Sequence, residues 1–448
     1  MEDMQPTYVV ESFDLTHDGL GVCKLEDGYT VFVEGLLKGE RAEIIVTERK
    51  KNYGFAKIVD IIEKSPFRIT PKCVHYETCG GCGLMHMDYD VQMSFKKYRI
   101  ETSLKRVGLE NVIVNDMVGM INPFHYRNKV EIKFRQSEKG IEAGFFRAKS
   151  HDLINLQECH IMPKRVFDLI TLIKNICNEL NIRAYEEKSN SGTIKSAVIR
   201  ESSKTKELSL LLQLGKDNFN DRDLFVSKVV AKIPEVASIA VTVTQDESTM
   251  STDPIEVIFG TETILDSIGK LDFEIGYRSF FQTNAIQTEK LYQKALEYAR
   301  LTGKEKIIDA YCGIGSIGLY AAHKAFKIFG IEVIKPAIID ARKNAERNHI
   351  KNAFFEVGDA EEVINKWKKF RFDVIFIDPP RKGCDPKFLK SVIAMKVPLV
   401  IYISCDPATL VRDLRLLSDG GYNVKEITPY DMFPQTIHVE TVSLLSLK

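Results

Sequence analysis

The 448-residue chain has no excess of either charge, 62 basic residues balancing 62 acidic ones. A strongly basic total would mark a surface made for nucleic acid, so any such surface here must be local. The sequence also lacks a long apolar run: none approaches the roughly 20 residues that cross a bilayer. Its first residues, MEDMQPTYVV, lack the basic-then-apolar pattern of a secretory leader, so a cytoplasmic location is expected. Internal repeats and low-complexity tracts are absent too. Cysteine is not scarce. Nine cysteines in a reducing compartment do not read as a disulfide framework, and clustered ones point to metal binding or chemistry. The length allows two or three domains.

Residues 1–64 hold short β-like runs between glycine turns: YVVESF, GLGVCKL, YTVFVEGL, RAEIIVTERK and GFAKIVDII. Five short strands in that length predict a small antiparallel β-barrel. One loop, ERKKNYGFAK, sets four basic residues beside Tyr53 and Phe55, a mix suited to phosphate contact and base stacking. EKSPFRITPKC, with Pro66 and Pro71, reads as a linker. Further on, YRNKVEIKFR alternates. Tyr126, Val130, Ile132 and Phe134 share one face, while Arg127, Lys129, Lys133 and Arg135 share the other, the pattern of a half-buried strand with a basic outer side. With the basic helical segment MSFKKYRIETSLKRVG before it, this strand is expected to form the cationic surface that the overall charge hides.

From about residue 270, strands alternate with helices. TEKLYQKALEYARLTG is an amphipathic helix with Gly303 near its C-cap, and KPAIIDARKNAERN is a helix with Pro336 in its first turn. KIFGIE, FDVIFIDPP and PLVIYISCDP are strands. The alternation predicts a parallel α/β sheet, with the closing run HVETVSLLSL added as an antiparallel edge strand.

Cys73, Cys79 and Cys82 form C-x5-C-x2-C among the glycines of CVHYETCGGCGLMHM, and Cys159 in LQECHIM is the best fourth ligand. Four thiolates suit zinc or an iron–sulfur cluster. Structural zinc usually shows two C-x2-C pairs, so the uneven three-plus-one spacing favours [4Fe–4S]. In a zinc version, His75 or His86 would replace one thiol.

DAYCGIGSIG carries Gly313, Gly315 and Gly318 in G-x-G-x-x-G spacing after a strand, and Glu332 follows 19 residues after Gly313. That is the geometry of an NAD or S-adenosylmethionine site, with the acid for the ribose hydroxyls. IDPPR then places Asp378 and two prolines at a carboxyl strand end, for which hydride transfer has no obvious use. The next strand, IYISCDP, ends in Cys405. A thiolate there has a use: added to C6 of uracil, it makes C5 an enolate carbon able to attack a methyl donor. The scheme needs a second group to remove the C5 proton, and Glu440 in IHVET is the candidate base. Cys384 in RKGCD and Cys312 in the glycine turn are rival thiols.

DAYCGIGSIGL, DPPRKGCD, YISCDPATLVRD and DMFPQTIHVET, with SFFQTN upstream, resemble the RNA uracil-5-methyltransferase family. The four cysteines and the N-terminal barrel, which resembles a TRAM domain, point to the branch acting on 23S ribosomal RNA. The resemblance covers essentially the whole chain. It implies an α/β, Rossmann-like methyltransferase domain at 269–448, a TRAM-like RNA-binding β-barrel at 1–64, and between them, at 65–268, a mixed α+β domain carrying an iron–sulfur cluster. It further implies Cys405 as nucleophile and Glu440 as base. Gln282, Tyr311, Glu332 and Asp378 would contact S-adenosylmethionine, and Cys73, Cys79, Cys82 and Cys159 would hold [4Fe–4S]. The partner would be 23S RNA, unassembled or partly assembled, and the chain a monomer away from membranes. One departure stands out: Asp406 follows the nucleophile where the family often has Asn, and it is expected to point away or be paired, since a facing carboxylate raises a thiol's pKa. Cytosine-5 methylation, tRNA as substrate, and a non-catalytic iron–sulfur RNA-binding protein are the alternatives.

Overall fold

The computed structural model describes residues 6–147, 150–244 and 253–448; the remaining residues of the expected divisions lie outside the described ones. The first part of the chain forms a six-stranded sheet, in the spatial order Thr7–Glu11, Arg41–Arg49, Tyr53–Glu63, Thr30–Val33, Gly21–Lys24, Asp14–Leu15. Alternating residues Val10, Cys23, Val31, Val33, Ala42 and Ile44 turn inward to make its core. Pairing is antiparallel except between Thr30–Val33 and Tyr53–Glu63, which run parallel.

A seven-stranded sheet follows, covered on one face by helices Lys164–Glu179 and Arg222–Lys232. Strand Lys129–Ser137 lies inside it, and the expected alternation holds, with Val130, Ile132 and Phe134 buried under the helices. The basic side is less free than its composition suggests. Lys133 pairs with Glu131 at 2.9 Å and Arg135 with Glu142 at 3.3 Å, so part of the expected cationic surface is already neutralised.

The third large sheet has eight strands, in the order Ala353–Val357, Lys327–Glu332, Lys306–Ala310, Val374–Ile377, Leu399–Ser404, Glu440–Leu447, Tyr422–Tyr430, Ile113–Val114. The first five are parallel. VIFI and LVIYIS are apolar throughout because helices cover both faces. Helices Ala285–Ala299, Ser316–Ala322 and Lys335–Arg347 pack on one side, and Ala360–Lys366, Pro386–Met395 and Pro407–Asp419 on the other.

Three sequence expectations are corrected. Glu440–Leu447 is antiparallel but not at the edge: it lies between Leu399–Ser404 and Tyr422–Tyr430, paired on both sides. The basic helix Tyr89–Arg106 is not simply a solvated surface, because it packs against this sheet with Lys96 wholly buried. The helix expected to end near Gly303 stops earlier, with Arg300 as a left-handed C-cap at φ 47°.

Candidate active site

Three parallel strands open on the same side of the sheet. Lys306–Ala310 feeds the glycine turn, Val374–Ile377 feeds residues 378–381, and Leu399–Ser404 feeds Cys405. Glu440–Leu447 runs the opposite way, so its first residue lies at that same end. Ser404 pairs with Thr441, which brings Glu440 level with Cys405 at the next step of the ladder. The Thr441 hydroxyl donates to the Ser404 carbonyl at 3.1 Å and fixes that register.

The site is crowded with acids. Glu440 is 3% exposed, and burial, then Asp378, push its carboxyl well above the usual range, with Arg381 opposing. Asp378 keeps some exposed surface, yet its carboxyl is deep enough that burial raises its pKa to about 7. The Cys405 thiol is pushed up to about 12 by burial, then by Glu440 and Asp378; Arg381 lowers it, and Asp406 acts on it least. The weak effect of Asp406 has a local cause: its side chain caps helix Pro407–Asp419, accepting from the Ala408 and Thr409 N–H groups, each at 2.9 Å. The thiol is therefore protonated in the free protein, and Arg381 is the cation that makes its ionisation easier. In the sequence Arg381 is only the residue that closes IDPPR; its position beside two acids and a thiol comes from the fold.

A pH prediction follows. kcat/KM should rise with pH as the buried carboxyls Asp378 and Glu440 ionise, because this parameter reports the free enzyme's groups. Arg381→Gln should move that limb to higher pH, since both Cys405 and Glu440 lose the cation that lowers their pKa. A profile that keeps its position in this variant contradicts the electrostatic role.

The rival thiols are occupied elsewhere. Cys312 packs in the core beneath the turn. Cys384 is buried, 3.4 Å from the Tyr402 hydroxyl, in a network where Tyr402 donates to Asp413 at 2.6 Å.

The turn itself is built for close approach. Gly315 has φ 79°, and a Cβ there would sit 3.0 Å from the Phe355 ring. At Gly313, φ 53°, a Cβ would meet nothing, so the backbone faces open space. Glu332 accepts from the Gly313 N–H at 3.1 Å and from the Ile334 N–H at 2.9 Å. Gln282 is buried just before helix Ala285–Ala299, its carbonyl held by the Asn128 amide at 3.1 Å. Tyr311 is left-handed, φ 64°, and its ring packs edge-on against Phe388 with centroids 5.4 Å apart. Of the four expected cofactor residues, Glu332 and Asp378 are drawn together, both acting on a fifth residue that sequence reading missed. This is Asp309, fully buried, whose carboxyl burial raises to about 8. One oxygen accepts from the Gly318 N–H at 2.9 Å, and the other has no partner among the described residues. Its signal was legible: an acid next to last in strand Lys306–Ala310, four residues before the first glycine.

Segment 431–439, which delivers Glu440, is held from several sides. Lys96 meets Asp431 at 2.5 Å with both side chains fully buried, and Tyr89 donates to Asp431 at 2.7 Å. Gln92 and Gln435 bond twice, at 3.0 and 3.2 Å, and the Leu84 N–H donates to the Gln435 carbonyl at 3.0 Å. Tyr126 donates to the Pro434 carbonyl at 2.9 Å. This grip sustains Gln435 in the left-handed region, φ 69°, a conformation that costs about 1–3 kcal/mol for a non-glycine residue.

Cys73, Cys79 and Cys82 lie on the wrapped segment around helix Tyr76–Cys79, which Gly80 ends at φ 67°. Cys159 approaches from the chain before helix Lys164–Glu179. Burial raises the Cys82 pKa most, and Cys159, Cys79 and Cys73 each raise it further, so the four thiols share one neighbourhood. Among the described residues, however, no three His, Cys, Asp or Glu side chains converge tightly enough to grip one ion. The two observations measure different things: charge acts over several ångströms, whereas coordination needs sulfurs at bonding range. The donor set suits the group; the side-chain orientations are not those of a ligated centre. The zinc alternatives are engaged elsewhere: His75 accepts from the Gln157 N–H at 2.9 Å, and His86 bonds the Tyr76 hydroxyl.

Comparison with known proteins agrees with the shape of this site. The family model for tRNA (uracil-5-)-methyltransferase matches residues 256–448, and the TRAM domain model matches residues 9–59. An uncharacterized RNA methyltransferase of Halalkalibacterium halodurans is 43% identical, over 97% of this chain and 96% of that one. One from Listeria innocua is 41% identical, over 97% and 96%. The crystal structure of Pyrococcus abyssi tRNA (uracil-54, C5)-methyltransferase in complex with S-adenosyl-L-homocysteine superposes with a TM-score of 0.78 at 30% identity, covering 97% of this chain and 99% of that one. With its N-terminal TRAM domain, the chain belongs to the RNA uracil-5-methyltransferase family.

Proposed function

We propose that this protein transfers a methyl group from S-adenosylmethionine to C5 of one or two uridines in 23S ribosomal RNA. The observation that carries the reading is the meeting of Cys405, Glu440, Asp378 and Arg381 at one end of adjacent strands. The methyl donor suits the turn, where Gly313 opens to free space and Asp309 keeps one carboxyl oxygen unpartnered. Gln282, Tyr311, Glu332 and Asp378 are the residues assigned to it.

The Cys405 sulfur bonds to uracil C6 as its proton passes to a carboxylate, and the C5=C6 electrons move onto the O4 enolate. C5 then takes the methyl group and S-adenosylhomocysteine leaves. The Glu440 carboxylate, a strong base because of its raised pKa, removes the C5 proton. The electrons of that C–H bond restore C5=C6 and expel the thiolate. The uridine must leave its stack first, at a cost of a few kcal/mol. Contacts of the barrel with RNA would help offset this. Phe32, Tyr53 and Phe55 cluster with centroids 5.5–5.9 Å apart, and Tyr53 is 39% exposed beside Arg49, Lys50 and Lys51. Tyr53→Ala should weaken RNA binding roughly five- to hundredfold, the range for one stacked base, as read by fluorescence anisotropy; unchanged affinity would remove the barrel face from the RNA path.

Cys73, Cys79, Cys82 and Cys159 are assigned to [4Fe–4S], with 1–64, 65–268 and 269–448 as the three functional divisions. The group would order the RNA-binding fold, since methyl transfer involves no net electron flow. Cys79→Ser should lower the iron content and visible absorbance of anaerobically prepared protein; a full iron complement would refute the ligand set. A second reading, tRNA as substrate, is favoured by the activity named for the P. abyssi protein. Mapping 5-methyluridine in ribosomal and transfer RNA from a deletion strain separates the two: loss from 23S RNA supports the proposal, and loss from tRNA alone favours the second.

A further inference from the structure

Helix Pro407–Asp419 begins two residues after Cys405, and one of its faces grips the turn that carries Arg381. Thr409, Arg412 and Asp413 share that face, being three and four residues apart. The Thr409 hydroxyl donates to the Arg381 carbonyl at 3.2 Å. Arg412 donates from Nη2 to the Lys382 carbonyl at 3.0 Å and to the Cys384 carbonyl at 3.4 Å. Asp413 is buried and accepts three bonds: the Cys384 N–H at 2.8 Å, the Tyr402 hydroxyl at 2.6 Å and Arg412 Nε at 2.8 Å. The Gly383 N–H donates to the Pro380 carbonyl at 2.8 Å and closes the turn. Gly383 has φ 74°, and a Cβ there would come within 2.7 Å of the Asp413 carboxylate and 3.1 Å of the Thr409 Cβ, so only glycine lets the turn lie this close to the helix.

All these contacts with residues 381–384 are made to main chain. By contrast, among the described residues no hydrogen bond fixes the Arg381 guanidinium, and Arg381 is exposed. Where this cation stands is therefore set by its backbone. The strand before the turn, Val374–Ile377, pairs with Leu399–Ser404, which pairs with Glu440–Leu447, so the turn lies at the strand ends that bear Cys405 and Glu440. The charged groups acting on the thiol there are Glu440, Asp378, Arg381 and, least, Asp406; Arg381 alone of these eases its ionisation.

We infer that Thr409, Arg412 and Asp413 are positioning residues: they lock the turn 380–384 onto the helix that follows Cys405, so that the Arg381 cation and the thiol are carried by one rigid unit. The inference rests on the reaction proposed above and deepens it by naming what fixes its cation in place. The effect of a charge weakens with distance and with the water let in between. A group misplaced by about 1 Å can cost about 10²-fold in rate.

The test compares Arg412→Lys, Arg381→Gln and the double variant with the full wild-type chain. The Arg412 side chain is 53% exposed, so its replacement leaves the core intact. Lysine keeps the charge but cannot reproduce the guanidinium's fork of bonds to Asp413 and to two carbonyls. The first readout is alkylation of Cys405 by iodoacetamide in RNA-free protein at about pH 9, followed by peptide mass spectrometry, since the thiolate is the species that reacts. Arg412→Lys should slow this step roughly two- to tenfold, in the same direction as Arg381→Gln. The second readout is the pH limb of kcat/KM, which should move to higher pH. In the double variant, Arg412→Lys should add little, because the cation it positions is gone. Asp413→Asn sets an amide N–H₂ against one of the three donors and should act in the same direction. Wild-type alkylation in Arg412→Lys, additive effects in the double variant, or a lower melting temperature with both readouts unmoved each overturn the clamp. If alkylation responds and no RNA is methylated, the clamp stands and the methylation reading falls; if uridine is methylated and neither readout moves, only the clamp falls.

Discussion

Replacing Cys405 by alanine is expected to cut turnover by about 10⁴-fold or more and to end covalent trapping of 5-fluorouridine RNA. Fluorine at C5 makes the trap: once the methyl group has been added, C5 carries no proton for a base to take, so the bond between sulfur and C6 persists. A denaturing gel reads the adduct directly. The substitution removes one sulfur from a partly exposed strand end, leaving strand pairing intact, so lost activity is not lost fold. Cys312→Ala and Cys384→Ala should keep the trap, because those thiols lie in the core and in the Tyr402–Asp413 network. An adduct that survives in Cys405→Ala sinks the assignment.

Glu440→Gln is expected to slow turnover by about 10²–10⁴-fold, the usual contribution of a general base, while leaving methyl transfer intact. The amide has the carboxylate's shape, so the pairing of Glu440 with Tyr430 persists, but it cannot accept the C5 proton. Methylated RNA should therefore accumulate as a covalent complex even with ordinary uridine, visible by mass spectrometry in a single turnover. The thiol should also ionise at lower pH, because Glu440 is one of the groups that raise its pKa. Stability should change in a defined direction. A carboxyl whose folded pKa is raised stabilises the fold most at low pH and loses that contribution as pH rises toward its folded value. Melting temperature should thus depend less on pH in the Gln variant. Release of free 5-methyluridine RNA at the wild-type rate would exclude Glu440 as the base.

The residues that carry chemistry were legible where local sequence fixes local geometry. LVIYIS followed by Cys-Asp-Pro reads as a strand that ends in a turn, and Asp406, expected to point away or be paired, is paired as the cap of helix Pro407–Asp419. The glycine spacing and Glu332 likewise belong to one strand–turn–helix–strand unit, whose parts are close in the chain. The alternation of Val130, Ile132 and Phe134 gave the buried side of the central sheet, because period two has a single reading; Tyr126 precedes the strand and packs with Met120 and Ile161 instead. Charge was read less well. Lys96 looked like one cation among several on a basic helix, yet it is buried against Asp431, 335 residues away. Asp309 went unread although its place before the glycine turn was visible, because nothing in the chain shows that its carboxyl is fully buried.

What the sequence determined by itself was the set of elements and the groups at their ends: the parallel α/β alternation, the turn open to a cofactor, a thiol at one strand end and a carboxylate at another. What only the tertiary structure decided was which groups meet, and in what electrical state. Glu440 is a raised-pKa acid beside Cys405 because its strand is inserted between two others instead of lying at the edge. Arg381 lowers the pKa of both Cys405 and Glu440 because the turn after one strand meets the ends of two others. Periodicity records which face of an element is buried. It carries no record of the distant partner that does the burying, and the energy of a charge depends on that partner and on the water the fold removes.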